Sequence, residues 1–467
     1  MTTEPTSSTS PVPGSATGPE GTADVVPFRH AVRAWFAVSL QTFGGPAGQI
    51  AVMQRTLVEE RRWIGQQRFN HALSYCMLLP GPEAQQLAIY VGWLLNGTRG
   101  GLVAGTLFVL PGVLALLALS AIYVGWGTTT LITGLFAGLA PAVLAIVAQA
   151  VMRVGRRSLT HPVLIVLAVA SFAALAVFAV PFPVVIAAAA LAGWLLARAR
   201  PHIFTLKKGH GSDDGPPPLI SDDALHHEPP SWRRALKVLA VGLVAWGIPL
   251  AIVAAATGAG SVFTTQGLYF SGAALVTFGG AYAVLAYVAQ SAVHTYGWLN
   301  PGEMVRGLAL AETTPGPLIM VVQFVAFVGA YRDPGDLDPW TAALLGALLT
   351  TWVTFVPCFV FIFLGAPSVE RLRGNKSISA ALTGITAAVV GVIANLALYF
   401  AVHTLFRTTD DRDWGPVHLQ VPDLTTWRPT ALAITLAALL MIFRLRWSVL
   451  RTLGACAALG LVTTLVW

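Results

Sequence analysis

Two carboxylates stand out because of where they fall. Glu83 follows Pro80-Gly81-Pro82 directly, and Glu312 lies just before Pro315-Gly316-Pro317, both in long apolar surroundings. Between positions 30 and 200 the other acidic residues are Glu59 and Glu60 alone. A carboxyl held in an apolar span is costly, and proton carriage is its most natural use. At Glu83 the plainer alternative is a carboxylate capping the helix that starts there. Gln49, Gln85, Gln86, Gln149 and Asn395 are uncharged donors suited to holding an oxyanion; the alternative is that they bridge helices. Arg61, Arg62 and Arg68 carry fork-like donors for the same kind of anion, or anchor an interfacial helix by its basic face.

The backbone around these side chains is itself a signal. Pro removes a donor and clashes with the preceding turn, and Gly weakens a helix, so Pro-Gly-Pro within a span breaks it. The breaks recur. Thr42-Phe43-Gly44-Gly45-Pro46 returns as Thr277-Phe278-Gly279-Gly280-Ala281, Pro80-Gly81-Pro82 as Pro315-Gly316-Pro317, and Trp63 as Trp298, all at one spacing. Pro111 and Pro357, Gly138 and Gly384, and Gln149 and Asn395 share a slightly longer one, the difference being an insertion near 332–338. A repeat this long is a duplication. Each broken helix exposes free N–H groups and the positive end of its dipole, which bind anions. Broken backbone survives in a bilayer only where protein or a water-filled cavity satisfies it. Two breaks in each of two inverted copies would gather four such ends near the midplane, as in a secondary transporter.

The elements that must position them are membrane helices. Of 467 residues 55% are hydrophobic and 10% charged, with a mean hydropathy of +0.69. A soluble domain carries roughly 25% charged residues. The net charge of +7 therefore reads as cytoplasmic loops rather than nucleic-acid binding. Cys76, Cys358 and Cys456 sit in apolar surroundings without CxxC spacing, which argues against disulfides and thiolate metal sites. The fold expected is an all-α polytopic membrane protein of about 13 spans, in two inverted-topology repeats with broken helices and re-entrant segments.

Residues 1–27 read as a disordered tail, 28–199 as the first repeat, 200–232 as a polar cytoplasmic linker, 233–260 as an unmatched span and 261–467 as the second repeat. The linker's His226-His227 pair is a weak metal candidate, and no cofactor or metal is expected. Residues 53–70 are amphipathic, interfacial or re-entrant. Six spans of the first repeat plus the unmatched one make an odd number between equivalent points, so the copies enter the membrane in opposite senses. With the N-terminus inside, Arg153, Arg156, Arg157 and the basic linker fall in the cytoplasm, and Asp333–Asp338 and Asp410–Asp413 outside. Arg55, Arg61, Arg62 and Arg68 disobey, unless their segment folds back inward.

At Phe43-Gly44-Gly45-Pro46, Trp63 and Pro80-Gly81-Pro82-Glu83-Ala84-Gln85-Gln86, with the reduced copy at Phe278-Gly279-Gly280 and Pro315-Gly316-Pro317, the chain resembles the chromate ion transporter family in its long, two-domain form. The resemblance implies a multi-pass protein of the bacterial inner membrane that expels chromate, proton-coupled, with sulfate as a related anion. Ala281 stands where the first copy has Pro46, and Leu318 where it has Glu83, so the copies are not equivalent. The residues expected to bind the anion are the two Phe-Gly-Gly breaks, the two Pro-Gly-Pro breaks, Gln49, Arg61, Arg62, Gln85, Gln86 and Asn395; Glu83 and Glu312 are expected to carry protons. The partners expected are an inorganic oxyanion and the lipid bilayer, with a homodimer left open and nucleic acid excluded. A sulfate carrier and a passive anion channel stay open as alternatives. A membrane-embedded enzyme is the weaker reading, because HExxH, an acidic pair within a span and a nucleotide-binding loop are all missing from the sequence.

Overall fold

The computed structural model describes residues 24–199, 219–220, 231–278, 280–366 and 376–466. The upstream tail, most of the linker with His226 and His227, and Gly279 lie outside the described residues. Residues 24–27, assigned by composition to the tail, are docked: Val25 N–H donates to the Leu95 carbonyl, Asn96 donates to the Val26 carbonyl, and Val26 is buried.

Each break separates two short helices. α1 (Phe28–Ser39) and α2 (Gly45–Gln54, continued by a π-helical turn Arg55–Glu60) flank the first Phe-Gly-Gly, and α3 (Gln66–Cys76) and α4 (Glu83–Trp126) flank the first Pro-Gly-Pro. Asn96 and Gly97 leave helical geometry, with Gly97 at φ 61°, and fold α4 into two arms. The arms lie antiparallel, since a Cβ on Gly92 would strike Gly100 and Ala104, and one on Gly105 would strike Ile89. In a continuous helix Gly92 and Gly100 would stand about 12 Å apart. α5 (Thr130–Ser158), α6 (Pro162–Ala176), α7 (Phe182–Ala199) and α8 (Trp232–Thr257) follow.

The second copy repeats the plan. α9 (Val262–Val276) and α10 (Ala281–Gln290, continued by a π-helical turn Ser291–Thr295) flank the second Phe-Gly-Gly. α11 (Pro301–Thr313) and α12 (Val321–Arg332, led by a 3-10 turn Leu318–Met320) flank the second Pro-Gly-Pro. Then come α13 (Pro339–Gly365), α14 (Lys376–Leu405), α15 (Pro429–Leu439) and α16 (Val449–Val466). Both copies carry the π-turn at the equivalent place, so even this irregularity is duplicated.

Among the described residues, seven helices are long and apolar enough to cross a bilayer, and three shorter apolar ones accompany them. The broken stretches at 30–51, 71–95, 267–290 and 305–330 are each a pair of half-length helices. The chain is an all-α polytopic membrane protein, with one two-stranded sheet among the described residues. The acidic stretch near 410 is not a plain loop but an antiparallel pair, β1 (Thr409–Trp414) with β2 (Val417–Pro422), turned at Gly415 with φ 61°. A glycine at the first turn position suits a two-residue hairpin. α8 buries only Gly242 and exposes Leu236, Val241, Val244, Ile248 and Ile252, which suits a helix facing acyl chains.

Small residues set the close approaches, as they do where lipid supplies no hydrophobic drive. α5 meets α16 through Gly134, Gly138 and Gly460, and α7 meets α14 through Gly193 and Gly384. Gly138 and Gly384 are repeat equivalents, so each copy lays its last helix on the other copy.

Candidate functional site

The four breaks meet. Gly81 N–H donates to the Thr277 carbonyl at 2.7 Å, and Gly316 N–H donates to the Thr42 carbonyl at 3.1 Å. These are one contact made twice, the Pro-Gly-Pro of each copy donating to the Thr-Phe-Gly-Gly of the other. The next layer is exchanged too. A Cβ on Gly316 would meet Gly112 of α4, and one on Gly81 would meet Cys358 of α13, the equivalent position. Phe43 and Phe278 N–H groups close the same tight turn, on Gln41 and Val276 carbonyls. Gly44, Gly45, Gly81, Gly280 and Gly316 all have positive φ, conformations in which a side chain would be strained. That is why these turns are built from glycine.

Four helix N-termini result. α2 starts after Gly44, α10 after Gly280, α4 after Pro82 and the α12 turn after Pro317, and none has a side-chain cap. Pro46 occupies the first turn of α2, where its missing N–H costs nothing. The remaining free N–H groups and the summed dipoles favour an anion.

The side chains gathered here come mostly from the first copy. Gln49 is buried; its amide donates to the Gly316 carbonyl and its oxygen has no partner. Gln86 donates to the Pro80 carbonyl at 2.6 Å and closes its own break. Gln85 is fully buried with neither amide atom hydrogen-bonded, an arrangement that costs about 1–3 kcal/mol. Glu83 sits on the first turn of α4, its carboxylate about a van der Waals contact from where a Cβ on Gly280 would lie. Glu312, on the last turn of α11, accepts a hydrogen bond from Tyr282 at 2.6 Å and leaves its second oxygen unpartnered. Arg157 stands within electrostatic range of Glu83, and Arg153 within range of Glu312 and Tyr282. α5 thus presents two arginines, one turn apart, to the two carboxylates.

Three expected site residues lie elsewhere. Arg61 and Arg62 are exposed beyond the π-turn of α2, Arg61 over the Trp63 ring at 4.9 Å. Arg62 and Trp63 carbonyls accept from Leu219 and Ile220 N–H of the linker. Asn395 lines a separate cavity of about 350 Å³ beside His294, Tyr399 and the β-hairpin. Gly279 lies outside the described residues.

Conversely, Thr42, Thr277, Tyr282, Arg153 and Arg157 were not on the expected list. The threonines were legible as the first letters of the repeated motif. Tyr282 faces Ala47 in the repeat, so duplication gave no pointer, and the arginines read only as topology markers. Among the described residues no three His, Cys, Asp or Glu side chains cluster as a metal site requires.

A family model described as "Chromate transporter" matches residues 30–194 and 265–461. The chain is 33% identical over 380 residues to a chromate transport protein of Pseudomonas aeruginosa, covering 79% of this chain and 80% of that protein. It is 27% identical over 391 residues to a chromate transport protein of Cupriavidus metallidurans, covering 84% and 87%. A probable chromate transport protein of Synechococcus elongatus is 26% identical over 369 residues. No solved structure matches the chain.

Proposed function

The chain belongs to the chromate transporter family, a membrane transporter and not an enzyme, and on that premise we propose that it exports chromate by proton-coupled alternating access. The observation that carries this reading is the convergence of four uncapped helix N-termini, two from each copy, held by the exchanged Gly81–Thr277 and Gly316–Thr42 hydrogen bonds. A tetrahedral dianion satisfies the free N–H groups, with Gln85 and Gln49 as side-chain partners. Glu83 and Glu312 share the site with it. Protonation of either removes a negative charge from the anion's neighbourhood, so the proton occupancy of these carboxyls and the affinity for the anion are coupled through repulsion.

We read the α1–α2 and α3–α4 pairs as hairpins entering from the cytoplasm, and α9–α10 and α11–α12 as hairpins entering from outside. Support comes from Leu219 and Ile220 of the linker, which pair with residues 62–65. Arg55, Arg61, Arg62 and Arg68 then return to the cytoplasmic side and obey the charge rule. A hairpin makes no net crossing, so two hairpins in place of two spans leave the parity odd. On this reading the second arm of α4 with α5, α6, α7 and α8 crosses between equivalent points, an odd number, as an inverted repeat requires. Rocking one copy on the other would open the tips to each side in turn.

The test is uptake of labelled chromate into inverted membrane vesicles, with an imposed pH gradient and sulfate as competitor. Gradient-dependent uptake supports the proton-coupled exporter. Flux that follows voltage and ignores the pH gradient points to a channel. Sulfate movement without chromate movement keeps the site and changes its substrate.

A further inference from the structure

Apart from the tips, a second cluster of cationic and hydroxyl groups gathers around a pocket that shares no lining residue with them. A pocket of about 210 Å³ opens between the start of α5, the start of α11, the end of α14 and the start of α15. Arg306, Arg428, His403, Thr133, Thr404 and Thr430 line it. Arg407 stands within electrostatic range of Arg428. Arg306 is steadied from behind by the Tyr123 hydroxyl at 3.4 Å and by the Phe136 ring. Neither Arg306 nor Arg428 forms an ion pair among the described residues. The nearby carboxylate that would be the obvious partner, Glu303, is already taken by a two-pronged bond with Arg332 at 2.7 and 2.8 Å. Thr404 adds an independent sign: only 4% exposed, its hydroxyl oxygen has no hydrogen-bond partner.

Uncompensated guanidinium groups beside an unpartnered buried hydroxyl make a site for a compact anion. The volume holds a tetrahedral oxyanion with part of its hydration, a water's share of liquid volume being about 30 Å³. We propose that this pocket binds a tetrahedral oxyanion group, with Arg306 and Arg428 as charge partners and Thr404 as hydroxyl donor. Resting on the transport reading above, it is the outer way-station of the path. Arg306 and Glu312 share α11, about 9 Å apart along its axis. α5 passes both places too, with Thr133 and Pro141 at the pocket and Arg153 near Glu312.

The experiment is equilibrium binding of labelled sulfate, competed by chromate, to purified full-length protein in nanodiscs of phosphatidylcholine. Gly45→Leu is the background, because it removes the tip site and leaves the pocket. In that background sulfate still binds, and adding Arg428→Gln or Arg306→Gln weakens it by about tenfold or more, the value of a charged hydrogen bond. Unchanged binding in both double variants, or no sulfate binding in Gly45→Leu when the wild type binds, overturns the pocket. Repeating the assay with phosphatidylglycerol identifies the source: a lipid headgroup in the pocket displaces sulfate and is lost from Arg428→Gln, whereas a free anion competes with sulfate alone. Failure of wild-type vesicles to move chromate while nanodiscs bind sulfate at Arg428 would sink the transport reading and leave the pocket standing.

Discussion

The two tips have one backbone and two chemistries. The glycine turns, the exchanged carbonyl bonds, the π-turns and the uncapped N-termini occur in both copies. The polar side chains do not. Gln49, Glu83, Gln85 and Gln86 of the first copy stand against Val284, Leu318, Met320 and Val321 of the second. The second copy answers with Tyr282 and Glu312, where the first has Ala47 and Met77. Duplication therefore supplied the shared backbone, and divergence placed most of the polar side chains on one side of it. A carrier with two identical tips would present the anion with the same environment from both. On the proposed mechanism, opening toward either side would change which side chains the anion keeps.

The largest effect should come from breaking the shared cage. Gly81→Leu and Gly316→Leu each put a side chain at positive φ, against Cys358 and Gln86 in one case and the Gly112 backbone in the other. Strain of about 1–3 kcal/mol is expected at each, with chromate uptake falling to background while inserted protein persists on membrane blots. Uptake retained in either would show that only one tip matters.

Gln85→Leu sharpens the contrast between side chains. It deletes a buried amide without partners, so thermal unfolding should show stabilisation by about 1–3 kcal/mol. Uptake should drop about tenfold or more, by the loss of a hydrogen bond to a charged ligand. A stabilised variant with undiminished uptake would remove Gln85 from the anion site.

Glu83→Gln should flatten the dependence of uptake on the imposed pH gradient, since the group keeps its shape and loses its proton. Tyr282→Phe, freeing Glu312 from its hydrogen bond, should shift that dependence rather than abolish it, and reduce uptake a few-fold. Identical pH profiles in both variants and wild type would make the two carboxylates structural.

The smallest effect compares two threonines. Thr42 Oγ1 accepts from Gly316 N–H at 3.1 Å, whereas Thr277 Oγ1 donates back to the Ala273 carbonyl at 2.6 Å. Thr42→Val should therefore lower stability by about 1 kcal/mol more than Thr277→Val, read as a difference in unfolding temperature. Equal losses would mean that the two exchanged contacts are alike after all.

Much of this was legible in the chain itself. Glycine and proline are read without ambiguity, because only they change what the backbone can do. Phe43-Gly44-Gly45-Pro46 and Pro80-Gly81-Pro82, with their copies, therefore marked four breaks, and their constant spacing marked a duplication. Apolar composition fixed the solvent as a bilayer. What remained hidden was which broken stretch crosses and which turns back, since a half-length apolar helix and half of a full span have the same composition. Arg62 pairing with Leu219, far away in sequence, is a contact that no local pattern announces. Arg61, Asn395 and Arg153 show the same limit from the other side. Residue type alone made the first two candidates and left the third a loop charge. Direction and distance, set by tertiary packing, sent Asn395 to another cavity and brought Arg153 to Glu312. The sequence determined which backbone must break and what chemistry the breaks can hold. Only the packing of one copy against the other decided which side chains meet there, because the contacts that bring the breaks together, Gly81 to Thr277, Gly316 to Thr42 and Gln49 to Gly316, join residues from opposite halves of the chain.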